Sequence, residues 1–584
     1  MTTAVYKTVE YKLQGLISSI ETGDIGLPEI QRPFVWPKTK IRNLFDSMYR
    51  GYPVGYFLFW ANPGGKETKQ IGMDKMQQIP SRLIVDGQQR LTSLYAVMRG
   101  VPVLNKDFAQ ETVEIAFNPL EETFAVADAT TKKNHAFIPN ISQLWAEGVD
   151  SYSFITDFLA KLEVKQPLTE EEKKRIPAAI QKVYNLTHYS FTALEIAAEV
   201  DEVQVAEVFV RINSQGKSLN QADFILTLMS VYWDEGRKNM EDFCRGAKIP
   251  STGQPSPFNY LFQPDPDDLL RVSVALSFRR AKLQYVYLIL RGKDLESGDF
   301  SEARRDDQFE RLKEAQAYAL DYQNWHEYFK ALQQAGYRRS ETISSKVALI
   351  YCYTLFLIGK RDFKLDAYEL RTLIARWFFM AALTSRYSSS PESQMEGELA
   401  RLRGLQTAAE FKNHLDQEIT KSLTEDFWNI ELVGSLDKAL ARNPALYAYY
   451  AALNLQDAKG LFSKIKIREL LEEGVYAKKS ALEMHHLFPK NYLKTELSLT
   501  DRHDTNQIAN YALVEWNDNI KISDDPPAVY WPKYAARFSQ EELVQMCAWH
   551  ALPEGWESME YSDFLVGRRH LIAKAIRAGF QSIG

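Results

Sequence analysis

Apolar positions recur along this chain at two different periods. From Tyr6 to about Trp233, short strand-like runs alternate with segments of helical spacing, the pattern of a mixed α/β layer fold. Ile41, Leu44, Phe45 and Met48 repeat at helical intervals, Gly51 supplies a stop, and Tyr52 to Trp60 reads as a strand. Arg82 to Val85 reads as a buried strand, Asp86-Gly87 as a turn, and Leu91, Leu94, Tyr95 and Met98 as the inner face of a helix ending before Gly100. Five prolines between Pro250 and Asp268 can neither continue a helix nor donate inside a sheet, and they predict a domain boundary. Beyond them, Leu269 to about Leu453 is rich in helix formers, with Val347–Ile358 and Leu370–Leu383 as long apolar helical segments. The remaining residues turn mixed again. The prediction is a multidomain α+β protein: an α/β domain over 1–245, a helical linker or assembly region over 246–454, and a third domain over 455–584.

Charge changes the picture in one respect. Seventy Lys and Arg stand against 76 Asp and Glu, a formal charge of -6, which excludes a protein that coats nucleic acid by bulk charge and leaves room for a local basic surface. The three cysteines, Cys244, Cys352 and Cys547, are far apart, so neither a disulfide framework nor a thiolate zinc site is expected. Val347–Ile358 is bracketed by Lys346 and Lys360 and is too short to span a bilayer; MTTAVYKTVEYK lacks an apolar signal core. A reducing, cytoplasmic setting without a membrane partner is the expectation.

Two constellations carry chemistry. In RLIVDGQQRLTSLYAVMRG, Asp86 to Arg90 opens a helix, where backbone N–H groups lack partners and the helix dipole favours anions. A phosphate fits there with Arg90 as a forked donor and with Asp86 holding a metal or orienting water. The plainer reading is a helix cap with a surface arginine. Upstream, Gln31 and Arg32 precede a proline-stiffened stretch with Phe34 and Trp36, a polar pair beside aromatic faces that suits a base or nucleotide. Downstream, Phe209 and Ile212 end a helix, Asn213 to Lys217 form a glycine-containing loop, and Asn220 caps the next helix with Asp223 at capping-box spacing.

These three segments resemble the amino-terminal domain of the GmrSD family of type IV restriction enzymes, marked by a Gln-Arg, aromatic, Trp element and an Asp-Gly-Gln-Gln-Arg element. The resemblance covers roughly the first 230 residues. It implies a ParB/sulfiredoxin-like fold that binds and hydrolyses a nucleoside triphosphate. Asp86, Gly87, Gln88, Gln89 and Arg90 would form the phosphate site, with Gln31 and Arg32 beside it.

The second constellation is EMHHLFPK, residues 483 to 490. A neutral imidazole beside a metal-bound scissile phosphate takes a proton from water. His485 and His486, then Asn510, then Asn519, with Pro489 after the first pair, follow the order that a ββα nuclease site requires. His486 would be the general base and Asn510 would orient or polarise the site. His485 and Asn519 would be metal ligands, their donors suiting a hard ion such as Mg²⁺ or Mn²⁺, with Asn517 competing for the place of Asn519. A partly exposed surface pair is the alternative for two histidines alone. His503, His550 and His570 lack partner spacing and read as packing or surface residues.

This segment resembles the carboxyl-terminal nuclease domain of the same family, a His-Me finger of HNH type, over roughly residues 455 to 584. An acidic residue commonly precedes the base in that family, where this chain has His485; its Gly-Asn-Leu element reads Ala509-Asn510-Tyr511 here. Between Lys459 and Lys494, eight Lys or Arg face four Glu, a local excess that favours phosphate contacts. The resemblances together imply a nucleotide-responsive endonuclease that cuts modified double-stranded phage DNA as a homodimer. The runner-up is a nucleotide-binding sensor of DNA modification with a dormant nuclease domain, and a third reading is a ParB-like scaffold.

Overall fold

The computed structural model describes residues 5–26, 36–61, 80–104, 110–200, 204–205, 208, 222, 225, 229, 233–294, 297–438, 443–471 and 482–584. The chain divides into two compact units, Met1–Arg237 and Lys238–Gly584.

In the first unit, β1 (Tyr6–Lys12), β2 (Ile25–Gly26), β3 (Phe57–Ala61), β4 (Arg82–Asp86) and β5 (Ser190–Ile196) form one mixed sheet in the order β1-β5-β3-β4-β2. β3 runs parallel to β5 and antiparallel to β4, and it is buried almost throughout because it lies in the middle of the sheet. The strand starts at Phe57 rather than at Tyr52. Pro53 cannot donate to a ladder, and Gly55 sits at φ +89°, so the residues before Phe57 stay irregular. Helices α1 (Leu13–Glu21), α2 (Lys38–Tyr49) and α3 (Gln88–Arg99) bury Leu16, Ile17, Ile41, Phe45, Leu91 and Leu94 in a core shared with Phe57, Phe59, Ile84 and Phe191. The register of β3 against β4 shifts between Leu58, which faces Asp86, and Phe59, which faces Ile84. That bulge sits at the strand end from which Asp86 projects, where a ladder irregularity re-aims a side chain.

The second unit is helical first and mixed at its end. The expected apolar segments form α4 (Lys346–Arg361) and α5 (Ala367–Leu383), both buried over most of their length as helices wrapped by other helices are. The proline-rich stretch before them is packed on the helix Tyr322–Gln334: Trp325 donates from Nε1 to the Pro257 carbonyl at 2.8 Å, and Phe262 lies against the same indole. Its prolines break the helix without freeing the chain.

The terminal part is knit into the same unit by α6 (Pro444–Leu455) and a long closing helix, Tyr561–Gln581. A Cβ at Gly579 would lie 2.5 Å from the Cβ of Ala452, so the two helices meet with no side chain between them. Asn454 donates to the Gly336 carbonyl at 2.8 Å, tying α6 back to the preceding helices. On this platform β6 (Leu482–His486) and β7 (Tyr511–Glu515) pair antiparallel, from Leu482 opposite Glu515 to His486 opposite Tyr511, and α7 (Trp516–Ile522) follows directly. Strand, connection, strand and helix give a ββα arrangement. Among the described residues no helix is long and apolar enough to cross a membrane.

Candidate functional site

The Asp86 turn is built by sterics before chemistry. Gly87 has φ +91°, and a Cβ there would lie 2.5 Å from Cδ1 of Phe57, so a glycine is needed for both conformation and space. Being glycine, it offers no side-chain cap to α3. Burial raises the Asp86 carboxyl above its ordinary range, opposed by the Gly87 N–H and by Arg90. Arg90 donates from Nη1 to the Tyr56 carbonyl at 2.8 Å, lies 5.4 Å from the Phe57 ring centroid, and is itself held below its ordinary pKa by burial. Lys40, 4.0 Å from the Trp36 ring centroid, is lowered by burial and then by the charge of Arg90. Asp86, Arg90, Tyr56 and Lys40 therefore form one electrostatic cluster at the start of α3. Gln88 turns back to the Ile84 carbonyl at 3.3 Å. Gln31, Arg32 and Phe34 lie outside the described residues, as do Phe209, Ile212, the 213–217 loop, Asn220 and Asp223.

In the hairpin, neighbouring residues of β6 point to opposite faces. His485 is buried and meets α7: its Nδ1 is 2.8 Å from Oδ1 of Asn519, whose Nδ2 donates to Oε2 of Glu483 at 2.6 Å. His486 is half-buried over the ring of its cross-strand partner Tyr511, 4.6 Å between centroids, with Nε2 3.1 Å from Oδ1 of Asn506. Both imidazoles are lowered to about 4. Burial is the main cause for each; the Asn519 and Asn506 contacts act in the opposite direction, and Lys490 and His485 lower His486 further. Each ring is neutral at physiological pH and keeps a lone pair.

Asn510 is fully buried at the end of the connection. Its Oδ1 accepts from the Phe488 N–H at 2.8 Å, and its Nδ2 donates to the carbonyls of Phe488 at 3.0 Å and Thr505 at 3.4 Å. Its amide is thus engaged with backbone, and what it orients is the turn that follows His486. Tyr530, in the helix Pro527–Ala535, donates to the Leu487 carbonyl at 2.6 Å, and the fully buried Arg568 donates to the Ala509 carbonyl at 2.6 Å, so the turn is fixed from several sides.

The side chains suit a cation in three respects. Nε2 of His485 is buried without a hydrogen-bond partner, the Glu483 carboxylate makes no ion pair among the described residues, and an amide oxygen stands beside the ring. No three His, Cys, Asp or Glu side chains converge as a ligand group among the described residues. A site with one imidazole and one amide suits a hard ion that keeps water and phosphate oxygens in its shell.

Comparison with known proteins bears on the first unit. Residues 13–230 match the GmrSD restriction endonuclease N-terminal domain. The match supports the GmrSD family for this unit; it does not extend to the helices or the hairpin of residues 238–584. An uncharacterized protein of Methanocaldococcus jannaschii is 21% identical over 577 residues, spanning 89% of this chain and 86% of the relative. The Asp86–Arg90 turn lies within the GmrSD-matched segment, and the histidine hairpin lies in the part that only the archaeal relative spans.

Of the residues expected at the hairpin, His485 and Asn519 are brought together, whereas Asn517 is exposed on α7. His503 is exposed and pairs with Asp504 at 3.6 Å, His570 is exposed, and His550 is buried in packing. Two residues escaped the reading of the sequence. Glu483 was accessible to it, since residues i and i+2 of a strand share a face; Asn506 was not, because a tertiary fold of the connection brings it to His486. The basic excess is also thinner than the count from Lys459, since Asp457, just outside that window, pairs with Lys466 at 2.9 Å and Arg468 at 2.6 Å. Lys478 and Lys479 lie outside the described residues.

Proposed function

We propose that this chain is a nucleotide-responsive, metal-dependent DNA endonuclease of the type IV restriction class, cutting modified phage DNA with His486 as general base. The observation that carries the reading is the neutral, half-buried His486, held at Nε2 by Asn506 at the end of a ββα hairpin. The GmrSD restriction endonuclease domain match in the same chain supports a nuclease as the enzyme class and DNA as the partner.

His486 would take a proton from water as the water oxygen bonds to phosphorus and the bond to the leaving sugar oxygen breaks, that oxygen then being protonated from solvent. Asn506 fixes the ring, and Asn510 fixes the turn on which the ring stands. His485 and Asn519 would hold Mg²⁺ or Mn²⁺, which when bound supplies charge stabilisation to the phosphate and leaving oxygens. In the first unit, Arg90 would hold the phosphate of a nucleoside triphosphate, with Asp86 orienting water and Gly87, Gln88, Gln89, Gln31 and Arg32 around it. Two strand cuts require two hairpins, which a homodimer provides. Phage defence in the cytoplasm is the role this implies.

The test is cleavage of modified and unmodified duplex DNA with Mg²⁺ or Mn²⁺, with and without nucleoside triphosphates. The His486→Ala variant should lose cleavage while keeping its fold and its nucleotide binding. Equal cleavage by that variant would overturn the assignment. A wild-type chain that binds nucleotide and modified DNA and cuts neither form would instead identify a sensor.

A further inference from the structure

Glu483 stands on the same face of β6 as His485 and opposite Val514 of β7, and no step of the proposed reaction uses it. We infer that Glu483 is a positioning residue that sets the Asn519 amide, and through it the His485 imidazole, for a divalent cation. The inference rests on the metal-dependent reading above.

The argument turns on which atoms can donate. An ionised carboxylate only accepts, so the Asn519 atom 2.6 Å from Oε2 of Glu483 must be the amide nitrogen. The amide oxygen is then the atom 2.8 Å from Nδ1 of His485. Because that oxygen also only accepts, Nδ1 carries the imidazole proton when no cation is bound, and the lone pair stays on the buried, unpartnered Nε2. Flipping the amide would set its oxygen against the carboxylate, an acceptor against an acceptor. Without Glu483 the amide faces only a histidine, which can change tautomer to suit either orientation, so neither is selected. Glu483 alone breaks that degeneracy. Its charge has a second use, since a half-buried carboxylate with no ion pair among the described residues, next to a neutral imidazole, leaves negative potential where a cation would sit.

The test uses the full chain, metal-free and with Mn²⁺. Calorimetric titration of the Glu483→Ala variant should show Mn²⁺ affinity 10–100-fold below wild type, the loss typical when a partner of a metal ligand is removed. Glu483→Gln, which keeps an acceptor without the charge, should fall between, and it serves as the reporter if the alanine variant does not fold. Nitrogen-15 spectra of the metal-free wild type should show His485 in the Nδ1–H form, and the alanine variant a mixture of tautomers. Glu483 acting merely to tie the strand to α7 would lower stability and leave the tautomer unmoved. Wild-type Mn²⁺ affinity, or a wild-type tautomer, in a folded variant overturns the inference. A wild-type chain that binds no Mn²⁺ and cuts no DNA would defeat the nuclease reading instead, and the tautomer measurement would still decide the part of Glu483.

Discussion

Acid should destabilise the second unit, and His550 shows how far. The residue is fully buried, its Nε2 lies 2.9 Å from the Lys459 carbonyl, and its Nδ1 has no partner. A carbonyl only accepts, so Nε2 carries the proton of the neutral ring, and further protonation would place a charge on Nδ1 in a dry interior. The Arg568 guanidinium is already bound there to the His550 carbonyl, at 3.1 and 3.2 Å. Burial, with Arg568 adding to it, lowers His550 from 6.5 to about 4. Between those values the unfolded chain binds more protons than the folded one, so stability rises with pH across the window and is lost as pH falls through it. The full shift corresponds to about 3.4 kcal/mol. Near pH 5, where the unfolded histidine is mostly protonated and the folded one is not, roughly 2 kcal/mol is already gone. His485 and His486 are lowered to about 4 in the same unit and act in the same direction in metal-free protein. The assay is urea unfolding of the full chain at several pH values, with His550→Gln alongside wild type. The variant should be less sensitive to acid by about 2 kcal/mol between neutrality and about pH 5. Equal pH dependence in the two chains would refute the argument.

Three other outcomes follow from named contacts. Asn510→Ala strands the buried N–H and carbonyl of Phe488 and should cost about 2–4 kcal/mol in unfolding experiments, with cleavage falling even in the fraction that folds; a loss below about 1 kcal/mol would remove Asn510 as the pin of the turn. Gly87→Ala meets both the left-handed backbone, about 1–2 kcal/mol alone, and the Phe57 ring, so a lowered melting temperature with impaired nucleotide binding is expected. Arg90→Ala should weaken triphosphate binding about 10- to 150-fold, the worth of one charge-assisted contact, and calorimetry showing wild-type affinity would exclude Arg90 from the site.

The sequence alone determined whatever depends on neighbours along the chain. Helical spacing located α2, α3, α4 and α5, whose apolar positions are buried, and the Asp-Gly pair marked the turn that only glycine can make at position 87. Strand alternation contained the pairing of Glu483 with His485 on one face. Other features belong to the tertiary structure because they join residues far apart in the chain. That α6 and the closing helix share one unit depends on the approach of Gly579 to Ala452, which no local window contains. The part Asn510 plays was settled by burial, which turned its amide to the backbone, and Asn506 reached His486 only because the 487–510 connection folds back on the hairpin. Asn519 rather than Asn517 faces His485 because two residues on a helix turn a side chain by about 200°, and only packing of α7 on the hairpin decides which of the two directions is inward. Local periodicity is a property of one segment; the donor that meets a given nitrogen is a property of two segments and the core that holds them together.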